Sequence, residues 1–250
     1  MDDKRLKHIR QAEKESHIKT YTENKLYTQG GWLAKPIKTI LDIVPLFQEY
    51  QELRILDLGA GVGRNCIPFA QKYRDIDCRI DCVDILELAT QMLYKNAKAY
   101  NVDSAICGIT STIENYKISP KQYDLIMAIS ALEHVESEEV FWKKVTEIQK
   151  GIRPNGIICL VINTNIIEND KKTGETLAPQ FEINLETGVL QTGLKELFSE
   201  WQILKSAVVQ QKYDIPRDNC IVELTTDVVT YVVRKTKGGH ANGQDYKPME

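Results

Sequence analysis

The sequence predicts an α/β fold: a doubly wound, mostly parallel sheet with helices on both faces. Three observations carry this. From residue 53 onward, short apolar runs alternate with helix-like stretches, the rhythm of strand–helix–strand units whose strands pair in parallel. The first apolar run ends in a glycine-rich turn that opens a helix, Ile-Leu-Asp-Leu-Gly-Ala-Gly-Val-Gly-Arg-Asn over 55–65. With 250 residues, 42% of them hydrophobic, the chain has material for one large core or for one domain with a small appendage.

Residues 1–32 form a charged leader with few apolar positions (Leu6, Ile9, Ile18, Leu26), expected to be helical and mobile, either as a solvated arm or as a lid over a ligand. A helix over 33–50 follows, opened by Pro36 and spaced by Leu33, Ile37, Ile40, Leu41 and Val44. Strands are expected at 53–58, 79–83, 105–107, 123–129 and 157–163, and helices at 65–73, 86–100 and 138–151. Gly151 and Pro154 stop the last of these helices. The rhythm breaks over 164–192, a polar insertion read as a hairpin of 181–185 and 189–192 around Glu186-Thr187-Gly188. A helix over 194–201 and strands over 202–210 and 225–234, one of them antiparallel, complete a single domain spanning 33–235. Residues 236–250 are read as a disordered tail.

The turn at 57–63 reads as the floor of a nucleoside-like ligand. Glycines let backbone approach a ligand with no Cβ in the way, and a following helix N-terminus offers N–H groups to a polar partner. A dinucleotide fingerprint, G-x-G-x-x-G, places its third glycine where this chain has Arg64. The pattern is instead Asp57-x-Gly59-x-Gly61-x-Gly63. Asp84 closes the second strand, where a carboxylate accepts hydrogen bonds from both hydroxyls of a ribose, or caps the next helix. Asp57 ends a central strand, where a buried carboxylate is costly unless paired.

These residues resemble the first motif of the class I S-adenosylmethionine (SAM)-dependent methyltransferases. The resemblance covers roughly 33–235 and is strongest over 53–163, with a short local likeness to the tellurite-resistance-type branch at Arg64-Asn65 and 194–201. It implies a sheet of about seven strands, SAM as cofactor and methyl transfer to a small-molecule acceptor. Cofactor contacts are implied at Asp57, Gly59, Ala60, Gly61, Gly63, Arg64, Asp84, Ile85, Ser111, Thr112, Ile113, Ile129 and Trp32. In the family the residue at Asp57 lies under the amino-acid end of SAM and orients its ammonium; a structural bond to the loop is the alternative. Thr112 stands where many relatives carry the Asp that meets the adenine amino group, so adenine contact passes to the Ile113 backbone. In Ile129-Ser-Ala-Leu-Glu-His134-Val, a segment that faces the methyl group in the family, His134 is the candidate general base. Its alternative role is to orient the loop. Trp32, near Tyr27 and Lys35, either packs on the sulfonium by a cation–π contact or marks where the leader meets the domain.

Composition narrows the function classes. The net charge is −3 with no basic run, so no nucleic-acid partner is expected. The six cysteines are scattered with no C-x-x-C pair, so no metal site is expected and the chain reads as reduced and cytoplasmic. The first residues lack an apolar signal core and no window reaches membrane-spanning length, so no membrane partner is expected. No feature specifies an oligomeric state or the methylated atom. Two other readings stay open: a non-catalytic SAM-binding module and an NAD-dependent Rossmann oxidoreductase.

Overall fold

The computed structural model describes residues 3–29, 31–217 and 220–236. Its strands are β1 (Glu52–Leu58), β2 (Asp77–Asp84), β3 (Ile106–Thr110), β4 (Tyr123–Ile129), β5 (Ile152–Asp170), β6 (Thr176–Leu177), β7 (Gln202–Arg217) and β8 (Cys220–Arg234). Seven of them run side by side in the order β3-β2-β1-β4-β5-β8-β7, and the two-residue β6 hangs on β5. β1 pairs in parallel with β2 and β4, β2 with β3, and β4 with β5, whereas β8 is antiparallel to both β5 and β7. The expected seven-stranded sheet with one antiparallel strand is therefore present, with β6 as an eighth.

The helices are α1 (Asp3–Glu23), α2 (Lys38–Ile43), α3 (Ile67–Lys72), α4 (Glu87–Ala99), α5 (Glu138–Gly151) and α6 (Thr187–Leu197). The pleat sorts strand residues between two cores, as period-two alternation requires. Leu53, Ile55 and Met127 face a cluster with Phe47, Phe69 and Leu93 on the α3–α4 side. Leu56, Leu58 and Ile126 face a cluster with Phe141, Ile148 and Leu194 on the α5–α6 side. α5 begins where the Val140 N–H donates to the Ser137 hydroxyl at 3.3 Å, with Glu138 and Glu139 in its first turn.

Four expectations are corrected. The helix over 33–50 is three short pieces, a 3₁₀ turn at Trp32–Ala34, α2, and a 3₁₀ turn at Val44–Phe47. Pro36 forces Lys35 into an extended conformation (φ −157°), and Pro45 lacks the N–H that a continuous helix needs. The hairpin at 181–192 is absent, because residues from Thr187 are helical. Leu190 and Leu194 are fully buried at helical spacing, and a Cβ on Gly193 would lie 2.3 Å from the Trp142 ring, so this glycine serves close helix packing. Strand β5 runs on to Asp170 where the sequence reading ended it at residue 163. The leader is helical as expected, and it is packed down: Ile9, Tyr21 and Leu26 are buried. The expected tail from residue 237 onward lies outside the described residues.

Gly156 tests the packing where β5 joins the sheet. A Cβ there meets the Asp124 carbonyl oxygen at 2.8 Å and the Arg153 carbonyl oxygen at 3.0 Å, and backbone cannot swing aside. Gly156→Ala is expected to destabilise the fold by about 1–3 kcal/mol, read as a lower urea midpoint with unchanged slope. An unchanged midpoint would refute this account.

Candidate active site

The strand order reverses between β1 and β4, and ligands in doubly wound sheets bind outside the carboxyl ends of strands at such a switch point. The glycine turn leaves β1 at this place. Gly59 (φ +76°) and Gly61 (φ +53°) take left-handed conformations that side chains disfavour. A Cβ on Gly59 would lie 2.4 Å from the Ala131 Cβ, and one on Gly61 2.8 Å from the Tyr21 hydroxyl. Gly63 lies close against Leu93 and Ile67.

The loop's own N–H groups are largely spent inside the protein. Those of Gly59 and Ala60 donate to the Val83 carbonyl at 2.8 and 3.0 Å. The Gly61 N–H donates to Asp84 Oδ2 at 2.8 Å, and the Leu86 N–H to Asp84 Oδ1 at 2.9 Å. Asp84 thus ties the loop to the Leu86 N–H just ahead of α4, although no side chain caps that helix, and it also lines the space beside the loop. The expected helix N-terminus does not adjoin the loop: α3 has six residues and starts at Ile67.

A cavity of about 920 Å³ lies between this edge of the sheet and α1. Of the expected residues, Gly59, Asp84, Ile85, Thr112, Ile113 and His134 line it. Asp57, Ala60, Gly61, Gly63, Arg64, Ser111, Ile129 and Trp32 do not. Asp57 lies beneath the loop at 2% exposure. Ser111 donates its N–H to the Asp84 carbonyl at 2.9 Å, and Ile129 packs into the core on the α3–α4 side. Trp32 already has its cation: the Arg64 guanidinium sits 5.3 Å from its ring centre and also donates to the Trp32 carbonyl. Residues not foreseen, Arg10, Glu13, His17 and Tyr21 of α1 together with Glu182, complete the wall. Their spacing along α1 is one helical stripe, but the stripe is polar and gives no apolar signal.

Two buried polar atoms here have no hydrogen-bond partner among the described residues: Asp57 Oδ2 and Arg64 Nε. Burial, with the Asp84 charge nearby, pushes the Asp57 carboxyl up to about 7 against the pull of Arg64. Burial pushes Asp84 up as well, opposed by the N–H groups of Leu86 and Gly61. Burial likewise lowers the Arg64 guanidinium.

In the wall of the same cavity, His134 is held at both nitrogens. Nδ1 is 2.9 Å from Glu182 Oε2, and Nε2 is 3.1 Å from Glu13 Oε1. Its ring stacks on Phe181 at 5.3 Å. Arg10 joins Glu114 (2.9 Å) to Glu182 (3.5 Å). Burial alone would lower His134, but Glu13 and Glu182 raise it well above the ordinary imidazole value. Burial would raise Glu13, but His134 and His17 hold it well below the usual carboxylate range.

The fold resembles that of solved SAM-dependent methyltransferases, and residues 55–156 match the family of methyltransferase domains. Over that stretch the chain is similar to the methyltransferase domain family. Its sequence is 30% identical over 111 residues to ubiquinone biosynthesis O-methyltransferase of Rickettsia canadensis, covering 44% of this chain and 43% of that protein. The chain spans under half the length of the curated relatives it matches. Among solved structures it resembles TehB from Haemophilus influenzae (18% identity, TM-score 0.55, covering 78% of this chain and 62% of that one). It also resembles 1,6-didemethyltoxoflavin-N1-methyltransferase of Burkholderia thailandensis, solved with 1,6-didemethyltoxoflavin and S-adenosylhomocysteine (14% identity, TM-score 0.56, covering 90% and 88%). At these identities the structural likenesses are likenesses of fold. No described helix is long and apolar enough to cross a membrane.

Proposed function

We propose that this protein transfers the methyl group of SAM to a small-molecule acceptor. The observation that carries the reading is the unpartnered carboxylate of Asp57 beneath a glycine loop that opens on a cavity closed by α1. A buried carboxylate oxygen with no donor fits a ligand that brings an ammonium, and the unpartnered Arg64 Nε fits one that also brings a carboxylate. An amino-acid end has both. Asp84 would take the ribose hydroxyls, and Ile85, Thr112 and Ile113 would flank the adenine. When bound, the cofactor supplies an electrophilic methyl group on a sulfonium.

The protein's contribution is positioning and exclusion of water. α1 acts as the lid, and the segment 164–192 supplies part of the acceptor wall through Phe181 and Glu182. His134, with both ring nitrogens on carboxylates, orients this wall rather than abstracting a proton. A cavity of this size roofed by a helix suits a small acceptor.

Two measurements test this. S-adenosylhomocysteine and SAM, at about 100 times their dissociation constants, should stabilise the chain by roughly 2.7 kcal/mol in a thermal-shift assay, while NADH should not. Stabilisation by NADH alone would overturn the cofactor assignment. With methyl-labelled SAM and a cell extract, label should enter the low-molecular-mass fraction; label confined to RNA or protein would overturn the acceptor class. Asp84→Ala is expected to weaken S-adenosylhomocysteine binding at least tenfold, because it loses the ribose acceptor and the bond that shapes Gly61. Unchanged affinity in calorimetry would remove Asp84 from the site.

A further inference from the structure

Glu13, His134 and Glu182 come from three separate elements: the lid helix, the turn after β4 and the segment leading to α6. One ligand-type atom from each lies within 4.8 Å of the others. We propose that these three side chains hold a divalent transition-metal ion, such as Zn²⁺ or Mn²⁺, in the wall of the cavity. The inference concerns ion binding and stands independently of methyl transfer.

The donor set fits. One imidazole with two carboxylates suits zinc and the neighbouring first-row ions, and does not suit magnesium or calcium, which prefer all-oxygen sites. The charge fits too. Arg10 pairs with Glu114 and Glu182, and Glu13 pairs with His134 and His17, so among these groups three carboxylates face one permanent positive charge. A dication beside a neutral His134 brings that sum to zero. Buried and half-buried carboxylates need such compensation: the Glu182 side chain is 1% exposed and that of Glu13 24%.

The surroundings are those of a supported site. Arg10 Nε lies 3.5 Å from Glu182 Oε1, and His17 Nε2 lies 3.5 Å from the Glu13 oxygen that faces His134. Such outer partners fix the orientation of ligands. All three side chains line the cavity, which gives an ion its route in and leaves coordination positions open toward a ligand. Without an ion, an imidazolium with an N–H on each nitrogen joins the two carboxylates. An ion takes the place of the proton on one nitrogen, and the glutamate held by the other nitrogen rotates to reach a bond of about 2.0–2.2 Å.

The test uses the full chain, stripped with a chelator and moved to chelator-free buffer. Titration with ZnCl₂ and MnCl₂ in a calorimeter should show one ion per chain. Glu13→Gln and Glu182→Gln should each weaken binding at least tenfold. Co²⁺ should give a visible absorption band that His134→Ala removes and His8→Ala, at an exposed position of α1, leaves unchanged. Glu13→Gln changes a less buried side chain and so keeps the proposal testable if Glu182→Gln fails to fold. No ion bound by the unaltered chain, or equal affinity in Glu13→Gln and His134→Ala, would overturn the site and leave the cluster as a proton-bridged strut.

Discussion

Gly61→Val is expected to lower the affinity for S-adenosylhomocysteine at least a hundredfold, about 2.8 kcal/mol, while the chain stays folded. Two independent costs meet at this position. Its φ of +53° is unfavourable for a β-branched residue, so the loop must change course between Asp57 and Asp84. A Cβ would also stand 2.8 Å from the Tyr21 hydroxyl, so the lid must lift or the loop must drop. A dropped loop moves the Gly61 N–H away from Asp84 Oδ2 and frees the carboxylate that the site relies on, and a lifted lid opens the cavity. Part of the fold is remote from this change: the core built on Phe141 does not involve the loop, whereas the core built on Phe69 includes Ala60 and Val62. Calorimetry with S-adenosylhomocysteine and a parallel urea melt separate the effects. Unchanged affinity in a folded Gly61→Val would sink the loop as a cofactor floor. Tyr21→Phe, which keeps the ring over Gly61, should bind much as the unaltered chain does.

The parts of this architecture that were legible in sequence are those whose signal is local. Alternating apolar runs between helices gave the sheet, and Asp57, Gly59, Gly61, Gly63 and Asp84 gave the switch point, because a tight turn leaves a mark in adjacent residues. The lid face was not legible. Arg10, Glu13, His17 and Tyr21 recur at helical spacing, yet three of the four are charged or polar, and a polar stripe facing a cavity looks like a polar stripe facing water. Glu182 was hidden for another reason. Gly188 sat in a stretch rich in turn formers and was read as a hairpin turn, although Leu190 and Leu194 carry the helical period. Trp32 shows the limit of assigning a contact by residue type: an aromatic ring near a cation was expected, and the cation is Arg64 of the same chain. Long-range pairings such as His134 with Glu13 leave no trace in a single sequence.

Binding of S-adenosylhomocysteine is expected to release about one proton near pH 6, and Asp57→Asn is expected to abolish that release. In the free protein burial pushes the Asp57 carboxyl up to about 7, so at pH 6 it is mostly protonated. A cofactor ammonium favours the carboxylate form, so binding at that pH expels the proton, and affinity should fall by up to tenfold per unit as pH drops below 7. The sign for stability is the opposite of that for an ordinary paired carboxylate. The unfolded chain ionises near the usual Asp value and the folded chain only near 7, so the free fold loses stability as pH rises from about 4 to 7 and levels off above. The groups facing Asp57 do not reverse this. Asp84 from β2 raises it further, Arg64 opposes it, and the thiols of Cys82 on β2 and Cys159 on β5 are themselves pushed up and stay neutral. Calorimetry at pH 6 in two buffers of different ionisation enthalpy counts the protons. Heats independent of buffer would show that Asp57 is already ionised, and with it that the buried carboxylate is not where the cofactor's ammonium docks.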